Sequence, residues 1–152
     1  MAHKQLKEIM DMAIQYETDA NEFYSTAAGV AKAPAAKTLL NELAGVELKH
    51  KVKLESFDLS DVAHEHHTVP ETHDLHVSDY LMDKEIAPNS TSQDIMVHAM
   101  KREQKAYEFY ARMLKVVTSG DVRTLFEELA AEELEHKAKI ETEYDDVVYK
   151  EN

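Results

Sequence analysis

The sequence contains no cysteine among its 152 residues. This absence excludes disulfide bonds, cysteine-ligated metal sites and thiol catalysis, so any bound metal has to be held by nitrogen and oxygen atoms. Glycine and proline are also scarce, with three of each. A sheet protein with many turns would need more of both, whereas the abundance of Ala, Leu, Glu, Lys and Met favours long helices. A chain of this length can fold around one core, and we expect a single all-α domain over residues 1–152.

Long apolar runs and an excess of positive charge are missing as well. No stretch has the length of a signal peptide's apolar segment or of a membrane span, which makes the cytoplasm the expected location. The formal net charge is −13. Nucleic acids and anionic membranes are recognised through clustered Lys and Arg, so we expect neither as a partner, and cations are the more natural ligands.

What the sequence does contain is an internal repeat at a fixed offset of 86 residues. Residues 13–55 and 99–141 are identical at 18 of 43 aligned positions, and no gap is needed. The repeated residues include Glu17, Ala20, Phe23, Tyr24, Leu43, Glu47, His50 and Lys51, which recur as Glu103, Ala106, Phe109, Tyr110, Leu129, Glu133, His136 and Lys137. The chain is therefore expected to be two copies of one helical pair, each carrying a Glu followed by Glu-x-x-His.

Apolar positions recur in steps of three and four residues through four segments, which is the period of a helix buried along one face. The predicted helices cover residues 3–32, 34–58, 91–118 and 121–149. Pro34 and the pair Ser119 and Gly120 fall between helices of the same half, which predicts two antiparallel hairpins with short joints. Thr91 with Asp94 is expected to cap the third helix, and Asp121 the fourth.

Residues 59–90 are predicted to form a long crossover between the two hairpins. Only residues 77–84 within it could form a short helix, which would pack Leu81 and Met82 across the bundle. A bundle of two hairpins joined by one long crossover has ferritin-like connectivity, whereas an up-down-up-down bundle would need only a short loop there. The predicted fold is therefore an all-α, ferritin-like antiparallel four-helix bundle.

Six positions on the predicted buried stripes carry a carboxylate or an imidazole where Leu or Ile is usual. They are Glu17, Glu47, His50, Glu103, Glu133 and His136. Buried carboxylates without partners are costly or take up protons, and no Lys or Arg lies on these stripes at matching height. Two divalent cations would offset the four carboxylates and accept the two imidazoles as neutral donors. One Glu from each of two helices, with Glu-x-x-His from each of the other two, is a known dinuclear ligand set in bundles.

The alternative is that all six side chains are solvated and that Glu47 and Glu133 form ordinary surface pairs with the lysines four residues later. The helix rotation that this requires would bury Lys49, Lys51 or Lys53 and expose Leu43 and Leu54. We therefore favour the metal site.

The repeated motifs resemble the rubrerythrin-like branch of the ferritin-like superfamily. The resemblance rests on Glu-x-x-Ala-x-x-Phe-Tyr at residues 17–24 and 103–110 and on Glu-x-x-His at residues 47–50 and 133–136, and it covers both hairpins. It implies two iron ions per chain, with Glu47 and Glu133 bridging them. By the same resemblance, Glu17 and His50 would complete one iron site, and Glu103 and His136 the other.

The sequence also departs from that family's pattern. Full-length rubrerythrins add a cysteine-ligated rubredoxin module and a further glutamate at the position of Ala106, and both are missing here. The set of four Glu and two His resembles the ferroxidase centres of bacterioferritin-like proteins, although the missing fifth helix argues against a ferritin cage. Breaks in the repeat are expected to make the two metals inequivalent. These breaks are Tyr16/Arg102, Asn21/Tyr107 and Val46/Glu132.

Several further residues have two interpretations. Tyr24 and Tyr110 are either core aromatics or donors of a hydrogen bond to a ligating carboxylate. Glu55 and Glu141 repeat as well, but we expect them to be solvated, and we expect His98 to be structural. The crossover is rich in imidazoles, which either face solvent or form an accessory metal site. These residues are His64, His66, His67, His73 and His76.

The function expected from the residues and the resemblance is that of a di-iron oxidoreductase that reacts with hydrogen peroxide or dioxygen and receives electrons from an external donor. The alternatives are a ferritin-like iron store or carrier, a di-manganese protein with the same ligands, and a metal-free helical interaction module. We expect a homodimer or a higher homo-oligomer.

Overall fold

The computed structural model of the protein describes residues 2–57, 86–117 and 120–151, with side chains from residue 6 to residue 146 of these ranges. They form four helices, with no strand in this part of the chain. The helices are α1 (Ala2–Val30), α2 (Pro34–Glu55), α3 (Ser92–Met113) and α4 (Gly120–Glu151). The predicted short helix at 77–84 and the five crossover histidines lie outside the described residues.

The four helices pack as a bundle of two pairs. α1 lies along α2 and α3 lies along α4, while smaller contacts join α2 to α4 and α1 to α3. This arrangement confirms the predicted all-α four-helix bundle. Within the described residues, none of the helices has both the length and the apolar composition that crossing a bilayer requires.

The beginnings of the helices follow local sequence signals. Pro34 opens α2 after Ala33 in an extended conformation, because proline has no N–H to leave unpaired in the first turn. Thr91 caps α3, since its hydroxyl oxygen accepts a hydrogen bond from the Asp94 N–H at 3.0 Å. α4 begins at Gly120, whose φ of 85° suits a glycine. Asp121 therefore lies inside the first turn of α4 rather than capping it.

The end of α3 differs from the prediction, because the helix ends at Met113 rather than at residue 118. The chain then turns through Leu114 to Val117. The Arg123 guanidinium on α4 donates to the carbonyl oxygens of Leu114 and Val117 at 2.6 and 2.8 Å. A side chain of the next helix thus satisfies two carbonyls of the turn that follows α3, while N–H groups of the same turn bind the last carbonyls of the helix.

The core consists of two apolar clusters. The first contains Leu6, Ile9, Met10, Ala13, Leu54, Phe109, Tyr110, Met113, Val117, Val122, Leu125, Phe126, Leu129 and Ala130. The second contains Ala20, Phe23, Tyr24, Ala27, Ala28, Ala31, Ala36, Leu39, Leu40, Leu43, Ala44, Ile95, Met96, Ala99 and Ile140. On every helix, a stretch that contains buried polar residues separates the positions belonging to the first cluster from those belonging to the second.

Candidate metal centre

The separating stretch contains all six predicted ligand residues. Glu17 comes from α1, Glu47 and His50 from α2, Glu103 from α3, and Glu133 and His136 from α4. Each is at most 6% exposed. We call these six residues the polar layer. The arrangement with all six side chains solvated is therefore not the one that the chain adopts, and Leu43 and Leu54 are buried in the apolar clusters.

The polar layer contains two overlapping groups of possible ligand atoms. Glu17, Glu47, His50 and Glu133 form one group, and in each group the candidate atoms lie within 4.8 Å of one another. The second group consists of Glu47, Glu103, Glu133 and His136. Glu47 and Glu133 belong to both groups, so each of them is placed where a carboxylate could span two ions.

Both histidines direct Nδ1 towards the carboxylates. His50 Nδ1 lies 3.2 Å from a Glu133 oxygen and 3.6 Å from a Glu17 oxygen. His136 Nδ1 lies 3.2 Å from a Glu47 oxygen and 3.8 Å from a Glu103 oxygen. The two imidazole rings stack on each other, with centroids 5.8 Å apart and 13° between their planes.

The polar layer fits a metal centre because many of its buried atoms lack hydrogen-bond partners. Among the described residues, one atom of each member is buried without one. These atoms are Glu17 Oε2, Glu47 Oε1, His50 Nδ1, Glu103 Oε2, Glu133 Oε1 and His136 Nδ1. The approaches of 3.2 Å from the two imidazoles to Glu133 and Glu47 are polar contacts without the direction of a hydrogen bond. A buried polar atom without a directed hydrogen bond is rare, because it has lost its hydrogen bonds to water. Six of them in one layer, with nitrogen and carboxylate donors only, match the donor set of a dinuclear site for iron or manganese.

Two tyrosines each hold one carboxylate oxygen of the layer. The Tyr24 hydroxyl donates to Glu103 Oε1 at 2.5 Å, and the Tyr110 hydroxyl donates to Glu17 Oε1 at 2.7 Å. Each tyrosine thus binds the glutamate of the other copy of the repeat. The rings are also fully buried in the apolar clusters, so each side chain combines the two roles that the sequence left open.

Comparison with known proteins bears on the identity of this bundle. The family profile of rubrerythrin matches residues 8–144. The chain belongs to the rubrerythrin family. A solved structure of a hypothetical protein from Pyrococcus furiosus is 28% identical and has a TM-score of 0.71, covering 98% of this chain and 94% of its own. A search of curated proteins gives no match.

In this member of the rubrerythrin family, the carboxyl groups of the polar layer have pKa values far from their usual range. Burial and the neighbouring Glu47 raise the pKa of Glu17 well above its usual value, and burial with Glu103 does the same for the pKa of Glu133. Burial alone would raise the pKa of Glu47 too, but close contacts with Glu17 and both imidazoles lower it below its usual range. The surroundings thus favour the protonated form of Glu17 and Glu133 and the ionised form of Glu47.

The two imidazoles have raised pKa values for a related reason. Burial on its own lowers the pKa of an imidazole. For His50, the approach of Glu17 and Glu47 outweighs burial and raises the pKa to about 10. For His136, Glu103 and Glu47 raise the pKa to about 9. Both rings are therefore cations at neutral pH in the metal-free protein, and metal binding has to displace their Nδ1 protons.

The breaks in the repeat lie beside the polar layer. Tyr16 stacks on Phe109, with ring centroids 5.8 Å apart, and Arg102, its counterpart, lies 4.4 Å from the centroid of Phe23. Burial raises the pKa of the Tyr16 hydroxyl and lowers that of the Arg102 guanidinium. Two equivalent positions next to the site thus hold a neutral phenol and a cation.

One contact of the layer was not predicted from the sequence. Glu132, which is half-buried on α4, forms a short polar contact through its carboxylate with Nε2 of His50. The break Val46/Glu132 was the signal for this contact, but the sequence does not show that the Glu132 side chain reaches across to α2. The remaining candidates lie outside the layer: Glu55 and Glu141 are exposed, and the His98 ring stacks on Phe23.

Proposed function

We propose that this protein is a di-iron oxidoreductase that reacts with hydrogen peroxide or dioxygen. The observation that carries the proposal is the set of six buried, unpartnered donor atoms in the polar layer. Membership of the rubrerythrin family supports iron as the metal. We also propose that the iron is a resident cofactor, at two ions per chain, rather than a stored cargo.

Each of the two overlapping groups of ligand atoms would hold one ion. Glu17 and His50 would hold one ion, and Glu103 and His136 the other, with Glu47 and Glu133 shared between them. When bound, a ferrous pair supplies the two electrons that reduce hydrogen peroxide to water with the uptake of two protons, and an external donor returns the electrons. Carboxylate and imidazole ligands also accommodate manganese, which metal analysis distinguishes from iron.

The surrounding residues orient the ligands and keep water out. Tyr24 and Tyr110 each fix one oxygen of a glutamate and leave the other oxygen free for a metal ion. The first and second apolar clusters close the layer on both sides. In such a dry environment, electrostatic interactions between the ligands and bound ions are stronger than they would be in water.

The proposal is tested by metal analysis of the purified protein, followed by stopped-flow absorbance after the ferrous form is mixed with peroxide or, separately, with dioxygen. We expect about two irons per chain and an absorbance change with at least one oxidant. Glu133→Ala should hold fewer than about one metal per chain, because loss of a shared ligand damages both sites. Glu128→Ala, which removes an exposed carboxylate of the same helix, is the matched control.

Three results would count against the proposal. Full two-metal occupancy in Glu133→Ala would refute the ligand assignment. A large shell in size-exclusion chromatography that holds many irons per chain would show iron storage instead, whereas the proposal expects a dimer or another small oligomer. Manganese in the native protein with no reaction of the ferrous form would favour the di-manganese alternative.

A further inference from the structure

The two histidines of the polar layer are repeat counterparts, and they sit in the layer in the same way. Each points Nδ1 at the carboxylates, and the rings stack nearly parallel. In both histidines, Nε2 is therefore the ring nitrogen that faces away from the carboxylates of the polar layer. What each Nε2 meets decides how firmly the ring is held and how strongly Nδ1 donates to a metal.

Among the residues that the structure describes, the two repeat-related positions beside the Nε2 atoms carry different side chains. Nε2 of His50 contacts the carboxylate of Glu132, which reaches across from α4 and whose side chain is 38% exposed. The repeat counterpart of Glu132 is Val46 on α2. A valine side chain has no acceptor atom, so the equivalent position offers no such contact to His136.

A carboxylate at Nε2 has three effects on a metal-binding imidazole. It accepts the Nε2–H and thereby fixes the tautomer whose Nδ1 lone pair is free for a metal. It holds the ring in place, and it makes Nδ1 a stronger donor. Such outer contacts are typically worth about 10–100-fold in metal affinity.

We propose that Glu132 is a positioning residue that makes the two half-sites unequal, so that the half-site with Glu17 and His50 binds its ion before, and more tightly than, the half-site with Glu103 and His136. The inference rests on the proposed metal centre but not on its reaction with an oxidant.

The test is a titration of the metal-free protein with Co²⁺, in which binding is monitored by calorimetry and by visible absorbance. For the unmodified chain we expect two separate binding steps. Glu132→Val should weaken the first step about 10–100-fold and bring the two steps together. Val46→Glu supplies the missing acceptor to the other half and should strengthen the second step. Glu135→Val removes a neighbouring exposed carboxylate of α4 and should leave both steps unchanged.

A second measurement separates positioning from a general effect on folding. In nitrogen-15 spectra of the protein loaded with Zn²⁺, the Nε2–H of His50 should exchange slowly with water in the unmodified chain, because Glu132 accepts it, and faster in Glu132→Val. Glu132→Gln keeps an acceptor but removes the charge, so it should retain slow exchange and recover part of the affinity that Glu132→Val loses. Thermal unfolding of each metal-free variant shows whether it is folded.

The outcomes distinguish the inference from the function on which it rests. Two binding steps that neither Glu132→Val nor Val46→Glu changes would overturn the role of Glu132. The same would follow if Glu135→Val weakened the first step as much as Glu132→Val does, because general charge would then explain the effect. Normal two-step binding without reaction of the ferrous form with peroxide or dioxygen would refute only the proposed function, and no Co²⁺ binding would refute both.

Discussion

The Tyr24 hydroxyl on α1 donates to the Glu103 carboxylate on α3 at 2.5 Å, across two helices that otherwise make few contacts. The bond joins a ring of the second apolar cluster to a ligand candidate of the polar layer. The packing of the Tyr24 ring at one end of the bundle therefore determines the orientation of the Glu103 carboxylate in the polar layer.

Removal of this hydroxyl in Tyr24→Phe should affect both stability and metal binding. The Glu103 oxygen loses its donor in a buried place, so the metal-free protein should lose about 1–3 kcal/mol of unfolding free energy in urea titrations. Metal affinity should fall about 10–100-fold in calorimetry, because the orientation of Glu103 is no longer fixed. Tyr144→Phe, which removes a half-buried hydroxyl of α4 that accepts from Gln93 outside the layer, is the control, and an equal loss of metal affinity in it would count against a specific role of Tyr24.

Metal binding should release protons. The pKa values of His50 and His136 are raised to about 10 and about 9, and those of Glu17 and Glu133 are raised as well. The two imidazoles are therefore expected to carry protons at neutral pH that a metal ion must displace, and the raised pKa values of the two carboxyls act in the same direction. Metal affinity should increase as the pH rises towards 9. Calorimetry in buffers of different ionisation enthalpy measures the protons released. Binding heats that do not depend on the buffer would contradict this prediction.

The metal-free protein should become less stable in mild alkali. An imidazole with a raised pKa in the folded state contributes stability that is fully present below its unfolded pKa of about 6.5 and is lost as the pH rises through the folded values. For His50 and His136 the loss should extend from neutral pH to between about 9 and about 10. Thermal unfolding between pH 6 and pH 10 measures it. His50→Gln and His136→Gln should each flatten the profile, and an unchanged slope in both would refute the assignment.

Replacement of a layer carboxylate by an apolar residue should separate stability from metal binding. Burial beside Glu103 and Glu47 disfavours the ionised form of Glu133, so we expect Glu133→Leu to raise the unfolding free energy of the metal-free protein by about 1–2 kcal/mol. The same variant should lose most of its metal affinity. Urea unfolding with and without Co²⁺ checks both parts. Destabilisation of the metal-free variant would mean that Glu133 contributes to the fold itself.

Replacement of Arg123 should lower the stability of the fold without changing metal binding. Its guanidinium binds two carbonyls at the end of α3, so Arg123→Ala should cost about 1–3 kcal/mol of unfolding free energy. Both bonds come from Nη1, while Nε pairs with Glu127 at 3.0 Å. Arg123→Lys keeps the charge but has only one nitrogen for these contacts, so it should recover only part of this loss. Metal stoichiometry should stay the same in both variants, and a reduced stoichiometry would show that the two regions are coupled.

The periodic sequence was sufficient to predict the helices and the burial of Glu17 and Glu103, because a carboxylate on an apolar stripe has a fixed direction in a helix. The internal repeat further predicted that each half contributes an equivalent set of two glutamates and one histidine to the polar layer. It could not predict that α3 ends at Met113, because the carbonyls at that end are satisfied by Arg123, a residue of the next helix. The contact between Glu132 and His50 was equally out of reach, since it depends on how α2 and α4 lie against each other.

The division of the core into two apolar clusters affects both side-chain movement in the polar layer and the substitutions that the layer tolerates. Each apolar cluster holds all four helices together at one end of the polar layer, so the fold is secured from two sides of the centre. Movement of Glu47 or Glu133, which no cluster tyrosine holds in the described residues, therefore does not require the apolar residues on either side to repack. A bundle built in this way tolerates exchange of a few residues of the layer, while the two ends continue to specify the same architecture.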